Sequence, residues 1–317
     1  MDDLITLLPC SRNFKKNAIS YYQTKAAVYA ERYSVRAAGD LLWVRHHAIL
    51  NLISAWNLQA GSRFLDLGCG PGFLSWDLER MGYRGVGLDA SAAMIQICRS
   101  GSERLQWTYT LGDVEYTPLA DHSFDAVVCA GVIDYLPNDR KLLAEAARLL
   151  KPGGKLLLCV TNTFGYTVCL SRPLYWLKKI PALARVASWL RSRLVGGVYG
   201  AMDFKFLPRK HRPSALRKQL LEYGFRTHAD RYTHYTGLPA PFCTMMSRIS
   251  RRLDETLDRL DRTIIRGIGS CYIVDCDFWP EPAEGNPTVI SPPANSIVAV
   301  MEDGMLNIRS SDDPDLP

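Results

Sequence analysis

The chain has 317 residues, 47% of them hydrophobic, which is ample for a core and favours one α/β domain with additions. Its net charge of +6 is regional: residues 165–220 hold twelve Lys or Arg against one acid, Asp203, so the remainder is net negative. Nine cysteines, odd in number and set largely in apolar runs such as "AVVCAG" and "LLLCVT", exclude a disulfide framework and a CxxC metal pair, and read as reduced thiols in a cytoplasmic protein with no metal.

The first segment, "MDDLITLLPCSRNFKK", begins with acids and breaks its apolar run too early for a signal peptide. No uncharged stretch reaches the ~18 residues of a membrane span, so the expected location is the cytoplasm, at most peripheral to a membrane. Residues 17–58 then predict two helices, "AISYYQTKAAVYAERY" and "LLWVRHHAILNLISAW", with apolar residues three and four apart.

From residue 63 the pattern alternates. "RFLDLG" predicts a buried strand, "FLSWDLERMG" a helix, "GVGLDA" a strand, and "SAAMIQICRSG" a helix capped by Ser91 and closed by Gly101. "LQWTYTLGD" and "SFDAVVCAG" read as strands, "NDRKLLAEAARLLKPGG" as a helix stopped by Pro152 and two glycines, and "KLLLCVT" as a strand. "RPSALRKQLLEYGF", "FRTHADRYTHY" and "GSCYIVDCDF" follow as helix, strand and last strand. Short apolar strands alternating with helices imply a doubly wound α/β sheet covered on both faces.

The domain reading is a helical cap over 1–60, a core over 61–164 and 201–278 with a helical addition at about 243–266, an insertion over 165–200, and a Pro-rich tail over 279–317 expected to be disordered. The insertion sets Leu183, Val186, Leu190 and Leu194 on one stripe, with Arg185 opposite and Arg191 and Arg193 flanking. Two readings stand: a lid packed on the sheet, or a surface-seeking helix facing anionic lipid. Nucleic acid, the other partner that basic charge suggests, is disfavoured because the window is apolar as well as charged and holds no nucleic-acid module.

The stretch "FLDLGCGPGF", residues 64–73, carries the chemistry. A glycine-rich turn after the first strand lets backbone approach a ligand at the carboxyl ends of the strands. A dinucleotide would want G-x-G-x-x-G, but here the third glycine comes one residue early, Pro71 lacks an N–H, and Asp66 lies two residues before Gly68. An acid repels phosphate and favours a cation or hydroxyl, so a cationic nucleoside fits better. Asp89 closes the second strand, where a carboxylate can accept ribose hydroxyls, and Asp113 offers an acceptor beyond the third strand.

On these motifs, with "GVGLDAS", "GDVEYTPLADHSFDAVVCAGVIDYLP" and "LAEAARLLKPGGKLLL", the chain resembles the class I S-adenosylmethionine-dependent methyltransferases, closely over about residues 20–165 and more loosely to about 278. The resemblance is to the small-molecule and quinone or lipid-precursor type, and it implies a seven-stranded, mostly parallel sheet with an antiparallel last strand. It further implies that Asp66, Gly68, Gly70 and Gly72 line the methionine moiety, Asp89 the ribose, Asp113 with Val114 the adenine, Met94 an adenine face, and Ala130 with Gly131 the sulfonium side. "KAAVYAERY" resembles the helix that closes over the cofactor. The implied reaction is O-methylation of a hydrophobic small molecule or lipid-linked precursor.

Where many such proteins carry a histidine within "VIDYLP", this chain has Tyr135. His46, His47 and His122 are expected to be structural or solvated, while His211 and His234 lie toward the cofactor side and are the candidate bases. Competing readings are a dinucleotide-dependent oxidoreductase, opposed by the glycine spacing, and a non-catalytic methyltransferase-like binding partner.

Overall fold

The computed structural model describes residues 14–34, 41–101, 106–165, 169, 208–235, 267–280, 297–302 and 305–310. Apart from Gly165 and Cys169, the basic insertion lies outside these residues, as does the helical addition at about 243–266. Two helices, α1 (Phe14–Ser34) and α2 (Leu41–Ser54), precede β1 (Arg63–Leu67), α3 (Phe73–Arg80), β2 (Arg84–Asp89), α4 (Ala92–Gly101), β3 (Trp107–Leu111) and β4 (Phe124–Ala130). A short 3-10 turn (Ile133–Tyr135), α5 (Arg140–Leu149), β5 (Leu150–Thr161), α6 (Pro213–Glu222), β6 (Phe225–Thr233) and β7 (Cys271–Phe278) complete the core.

The seven strands form one sheet in the order β3-β2-β1-β4-β5-β7-β6. Every neighbouring pair from β3 to β5 is parallel, and β7 runs antiparallel to both β5 and β6. The order reverses at β1 and β4, so a crevice opens beyond the carboxyl ends of these two strands, where the glycine loop emerges. Central strands are apolar on both sides because both faces are covered: Ala126, Val127, Val128 and Cys129 are all fully buried. One face packs under α5 and α6 through Leu142, Leu143, Ala146, Leu149, Leu216 and Leu220, and the other under α2, α3 and α4 through Ile49, Ile53, Leu74, Leu78 and Ile95.

Three elements differ from the sequence reading. The first is α2, grouped with the cap on sequence, which is a core layer: Ile49 and Ile53 are buried, and Trp56 Nε1 donates to Asp275 Oδ2 at 2.8 Å across the sheet. Helix α1 lies over the strand ends. The helix expected to stop at Pro152 ends earlier, at Leu149, and β5 begins at Leu150. Leu150 is fully buried opposite Phe124, and its carbonyl lies 2.7 Å from His122 Nδ1, so side-chain burial and strand pairing end the helix before the proline can. Lastly, the tail expected to lack structure contains β8 (Ile297–Glu302) and β9 (Met305–Ser310), an antiparallel pair with Glu302 opposite Met305. Asp303 and Gly304 stand between them in sequence, a dipeptide that favours tight hairpin loops, and the flanking Val298, Val300 and Ile308 are β-branched.

Among the described residues all cysteines are free, and all except the exposed Cys169 are buried. No described helix is long and apolar enough to cross a membrane.

Candidate functional site

The turn after β1 is built from backbone that only glycine adopts readily. Gly68, Gly70 and Gly72 have φ of 75°, 54° and 87°, all in the left-handed region. The constraint is tightest at Gly68, where a Cβ would stand 2.0 Å from Val132 Cγ2. The amides of Gly68 and Cys69 both donate to the Leu88 carbonyl, at 2.6 and 3.0 Å, and tie the loop to the end of β2.

Asp89, the last residue of β2, accepts from Gly70 N at 2.9 Å through Oδ2 and from Ser91 N at 2.8 Å through Oδ1. Two acceptor positions of the carboxylate remain for a ligand. Burial raises its pKa even though these amides oppose the shift. Ser91 caps α4 as expected, accepting from Met94 N at 3.3 Å.

Asp66, on β1, is 2% exposed and accepts a hydrogen bond from Ser75 Oγ at 2.7 Å. Burial pushes its carboxyl up to about 7, the Ser75 bond opposes this, and the negative charge of Asp89 adds to it. A buried carboxyl with so little compensation is poised to receive a cation.

Across from Asp66 is a group the sequence reading passed over. Arg45 of α2 reaches the same cavity, donates from Nη2 to Tyr33 Oη at 3.1 Å, and helps line a space of about 40 Å³ with Tyr29, Tyr33, Asp66, Gly68, Gly70 and Ala130. Gly131, with φ 81°, makes room for it, since a Cβ there would stand 2.4 Å from Arg45 Nη1. A signal was present in the sequence: residues 42, 45, 49 and 53 share one face of α2, and Arg45 is the charge on that otherwise apolar stripe.

Helix α1 closes the top of the site through Lys15, Ala18, Tyr22, Ala26, Tyr29 and Tyr33, spaced three or four apart. Lys15 Nζ lies 2.6 Å from both oxygens of Asp113 and also pairs with Glu115. Gln23 Oε1 accepts from Ser91 Oγ at 2.9 Å and Ala93 N at 3.2 Å, beyond β2. Tyr22 Oη donates to Tyr135 Oη at 2.8 Å beyond β4, and Tyr29 faces Gly70. Rings of Tyr22, Tyr29, Tyr33 and Phe73 follow one another in edge and stacked contacts 5.0–5.6 Å apart. The space left between these side chains at the glycine loop is small beside the ~300–1,000 Å³ of a typical ligand pocket.

The other predicted residues divide. Asp113, Ala130 and Gly131 stand at the strand ends around this crevice. Val114 and Met94 are 5% and 1% exposed, and the Val114 side chain belongs to the hydrophobic core, leaving only its backbone for a ligand.

His211 is not placed as a base. It is 5% exposed between two acids, with Nε2 3.1 Å from Asp139 Oδ1 and Nδ1 3.1 Å from Asp134 Oδ1, the latter an ion-pair contact outside hydrogen-bond alignment. Burial opposes its charge, but the two carboxylates win and raise its pKa to about 9. Asp134 also accepts from Thr161 N and Oγ1, and Arg209 pairs with Asp139 at 2.8 Å. The cluster fastens residues 209–211 to the ends of β4 and β5. His234 follows β6 with φ 63°, in left-handed backbone uncommon for a non-glycine residue. His46 pairs with Asp77 at 2.7 Å, and His47 and His122 bond main-chain carbonyls.

An acid and an arginine line the same cavity beside a glycine cradle, an arrangement that suits a zwitterion, with further carboxylates at the next two strand ends. Residues 65–158 match the family described as "Methyltransferase domain". The chain is 30% identical over 199 residues to the ubiquinone biosynthesis O-methyltransferase of Xanthomonas oryzae pv. oryzae, covering 58% of this chain and 82% of that one. It is 36% identical over 134 residues to the demethylmenaquinone methyltransferase of Tropheryma whipplei, covering 41% of this chain and 55% of that one. In fold it is similar to a chain of the complex between the Haloferax volcanii Trm112 methyltransferase activator and a methyltransferase, with TM-score 0.55, 17% identity, and 83% and 98% of the two chains covered. A Methanosarcina mazei S-adenosylmethionine-dependent methyltransferase aligns with TM-score 0.50, 17% identity, and 72% and 98% coverage.

The chain belongs to the class I S-adenosylmethionine-dependent methyltransferases, and S-adenosylmethionine is its cofactor. The oxidoreductase reading is thereby set aside.

Proposed function

We propose that this methyltransferase acts on a hydroxyl oxygen of a hydrophobic, quinol-type or lipid-linked acceptor. The observation that carries the cofactor part of the reading is that Asp66 and Arg45 line one cavity at the glycine loop, walled by Tyr29 and Tyr33. The names of the two relatives support the acceptor class.

S-adenosylmethionine, when bound, supplies a methyl group already activated on a sulfonium, so the protein's task is mainly alignment and exclusion of water. Asp66 would hold the amino group and Arg45 the carboxylate of the methionine moiety, while Gly68, Gly70 and Gly72 would let backbone come close. Asp89 would take the ribose hydroxyls, Asp113 and the Val114 backbone the adenine, Met94 would back the adenine face, and Ala130 and Gly131 would border the sulfonium. Helix α1 closes over the site and shields it from water.

The acceptor's proton is assigned to His234, because His211 is already protonated at neutral pH and has both nitrogens turned to carboxylates. Left-handed backbone at the end of β6 is the kind of strain found at functional sites. Methyl transfer from labelled S-adenosylmethionine to a hydroxylated quinol tests the assignment: His234→Ala should lower kcat and flatten its pH dependence, while His211→Gln should leave the pH profile in place. The reverse outcome would remove His234.

Residues 165–200 are proposed as a lid on the acceptor side. A membrane-facing role is the second reading, favoured by Phe164 and Ile268, 53% and 44% exposed where the insertion begins and where β7 is approached. Asn162 Nδ2 holds those two segments together through the carbonyls of Gly267 and Gly269 at 2.8 Å. Sedimentation with anionic liposomes at low and high salt separates the readings: salt-sensitive pelleting, lost in the R185Q/R191Q/R193Q variant, supports membrane contact, and no pelleting supports the lid.

A further inference from the structure

At the opposite end of the sheet, where β1 and β2 begin, two arginines stand side by side. Arg63 and Arg84 are register partners on parallel strands and point to the same face. Like charges set directly opposite one another on neighbouring strands are unfavourable. Among the described residues neither guanidinium has a hydrogen bond or an ion pair; Arg63 rests over the Phe124 ring at 4.8 Å. Among the described residues the nearby acids are already engaged, and the attraction of Asp125 for Arg84 is shared with Lys151. Asp125 accepts from the Arg63 backbone amide at 2.8 Å and pairs with Lys151 at 2.6 Å, and Glu79 Oε1 accepts from Gln106 N at 3.0 Å.

The arginines border a cleft of about 260 Å³, whose other walls are Gly85, Val86, Gln106 and Thr108. Thr108 belongs to β3, the edge strand of the sheet, and Gln106 directly precedes it; they offer a hydroxyl and an amide beside the two cations. Arg84 lies five residues before Asp89, so at ~3.3 Å per residue the cleft is about 17 Å from the ribose-side acid and takes no part in cofactor binding.

We propose that this cleft is an anion site for a phosphoryl group. Two planar guanidinium groups on adjacent strands present paired donors that match phosphate oxygens, and a bound dianion relieves their repulsion. The volume fits a phosphate or diphosphate with its water better than a whole nucleotide, which needs a pocket of at least ~300 Å³. The inference is independent of the acceptor's identity.

Inorganic pyrophosphate and vesicles of phosphatidic acid in phosphatidylcholine serve as probes for a soluble phosphoryl group and a lipid headgroup. In titrations of the full chain, pyrophosphate should raise Tm and shift the amide resonances of Gln106 and Thr108, and Arg84→Gln should weaken its binding at least tenfold without changing S-adenosylmethionine affinity. Vesicle binding lost in the same variant, with no response to pyrophosphate, places a headgroup in the cleft instead. R63K, which keeps the charge and the stem over Phe124 but loses the fork, should reduce binding while remaining folded. Equal binding of both probes to wild type and R84Q, or no binding of either to wild type, overturns the proposal.

Discussion

Replacing Asp66 with Asn should make the protein more stable and less able to bind its cofactor. The carboxyl has an ordinary pKa of 3.8 and is pushed to about 7 by burial. Because the folded-state value is raised, the folded protein holds a proton that the unfolded chain has released. Stability therefore falls as pH climbs from the unfolded value to about 7, and the full penalty persists above it. A shift of about three units at 1.36 kcal/mol each amounts to about 4 kcal/mol, with relaxation around the site lowering the realised figure. Asn keeps an oxygen for the Ser75 hydroxyl and removes the charge.

Urea unfolding should show D66N and wild type nearly equal at pH 4 and D66N more stable by about 2–4 kcal/mol at pH 8. Loss of the charged partner for an amino group should weaken cofactor binding by about 1.5–3 kcal/mol, read by calorimetry. A variant less stable than wild type at pH 8, or a difference that ignores pH, would refute the reasoning.

The His211 cluster should lose stability in the same direction, as pH rises, but over a higher window. Its pKa is raised from 6.5 to about 9, so it stabilises by about 3 kcal/mol below the unfolded value and loses this as pH rises through about 9; the stability gap between wild type and His211→Gln should shrink between pH 7 and pH 10, and a constant gap would contradict the pairing. Gly68→Ala combines a left-handed backbone with a side chain driven into Val132, which together should cost about 2–5 kcal/mol. Gly70→Ala, whose nearest neighbour is Tyr29 at 3.9 Å, should carry only the backbone part, about 1–2 kcal/mol. Thermal unfolding decides between them, and G68A/V132A should recover the difference if the clash is real.

The strands of the sheet were legible because each is a short apolar run bounded by glycine or an acid, and because the glycine loop announces the first strand end. The acids at the strand ends were legible for the same reason: Asp66, Asp89 and Asp113 occur at fixed places relative to those strands. Contacts made across long sequence distances were not. Lys15 reaches Asp113, and His211 reaches Asp134 and Asp139; only the folded sheet brings such pairs together. His211 read as a candidate base because its two acids sit more than seventy residues away in sequence. Arg45 and the tyrosines of α1 did leave a periodic signal, but a helix stripe shows which residues share a face and not what that face meets.

The central claim is that the carboxylates at the ends of β1, β2 and β3 hold S-adenosylmethionine. Calorimetric titration of S-adenosylmethionine and, separately, NADH into wild type and Asp89→Ala tests it most directly. Asp89 aligns the Gly70 and Ser91 amides and keeps two acceptor positions for a ribose, so its loss should weaken S-adenosylmethionine binding by about 1–3 kcal/mol while NADH binds neither protein. Equal affinity of both proteins for S-adenosylmethionine, or tighter binding of NADH, would contradict the claim.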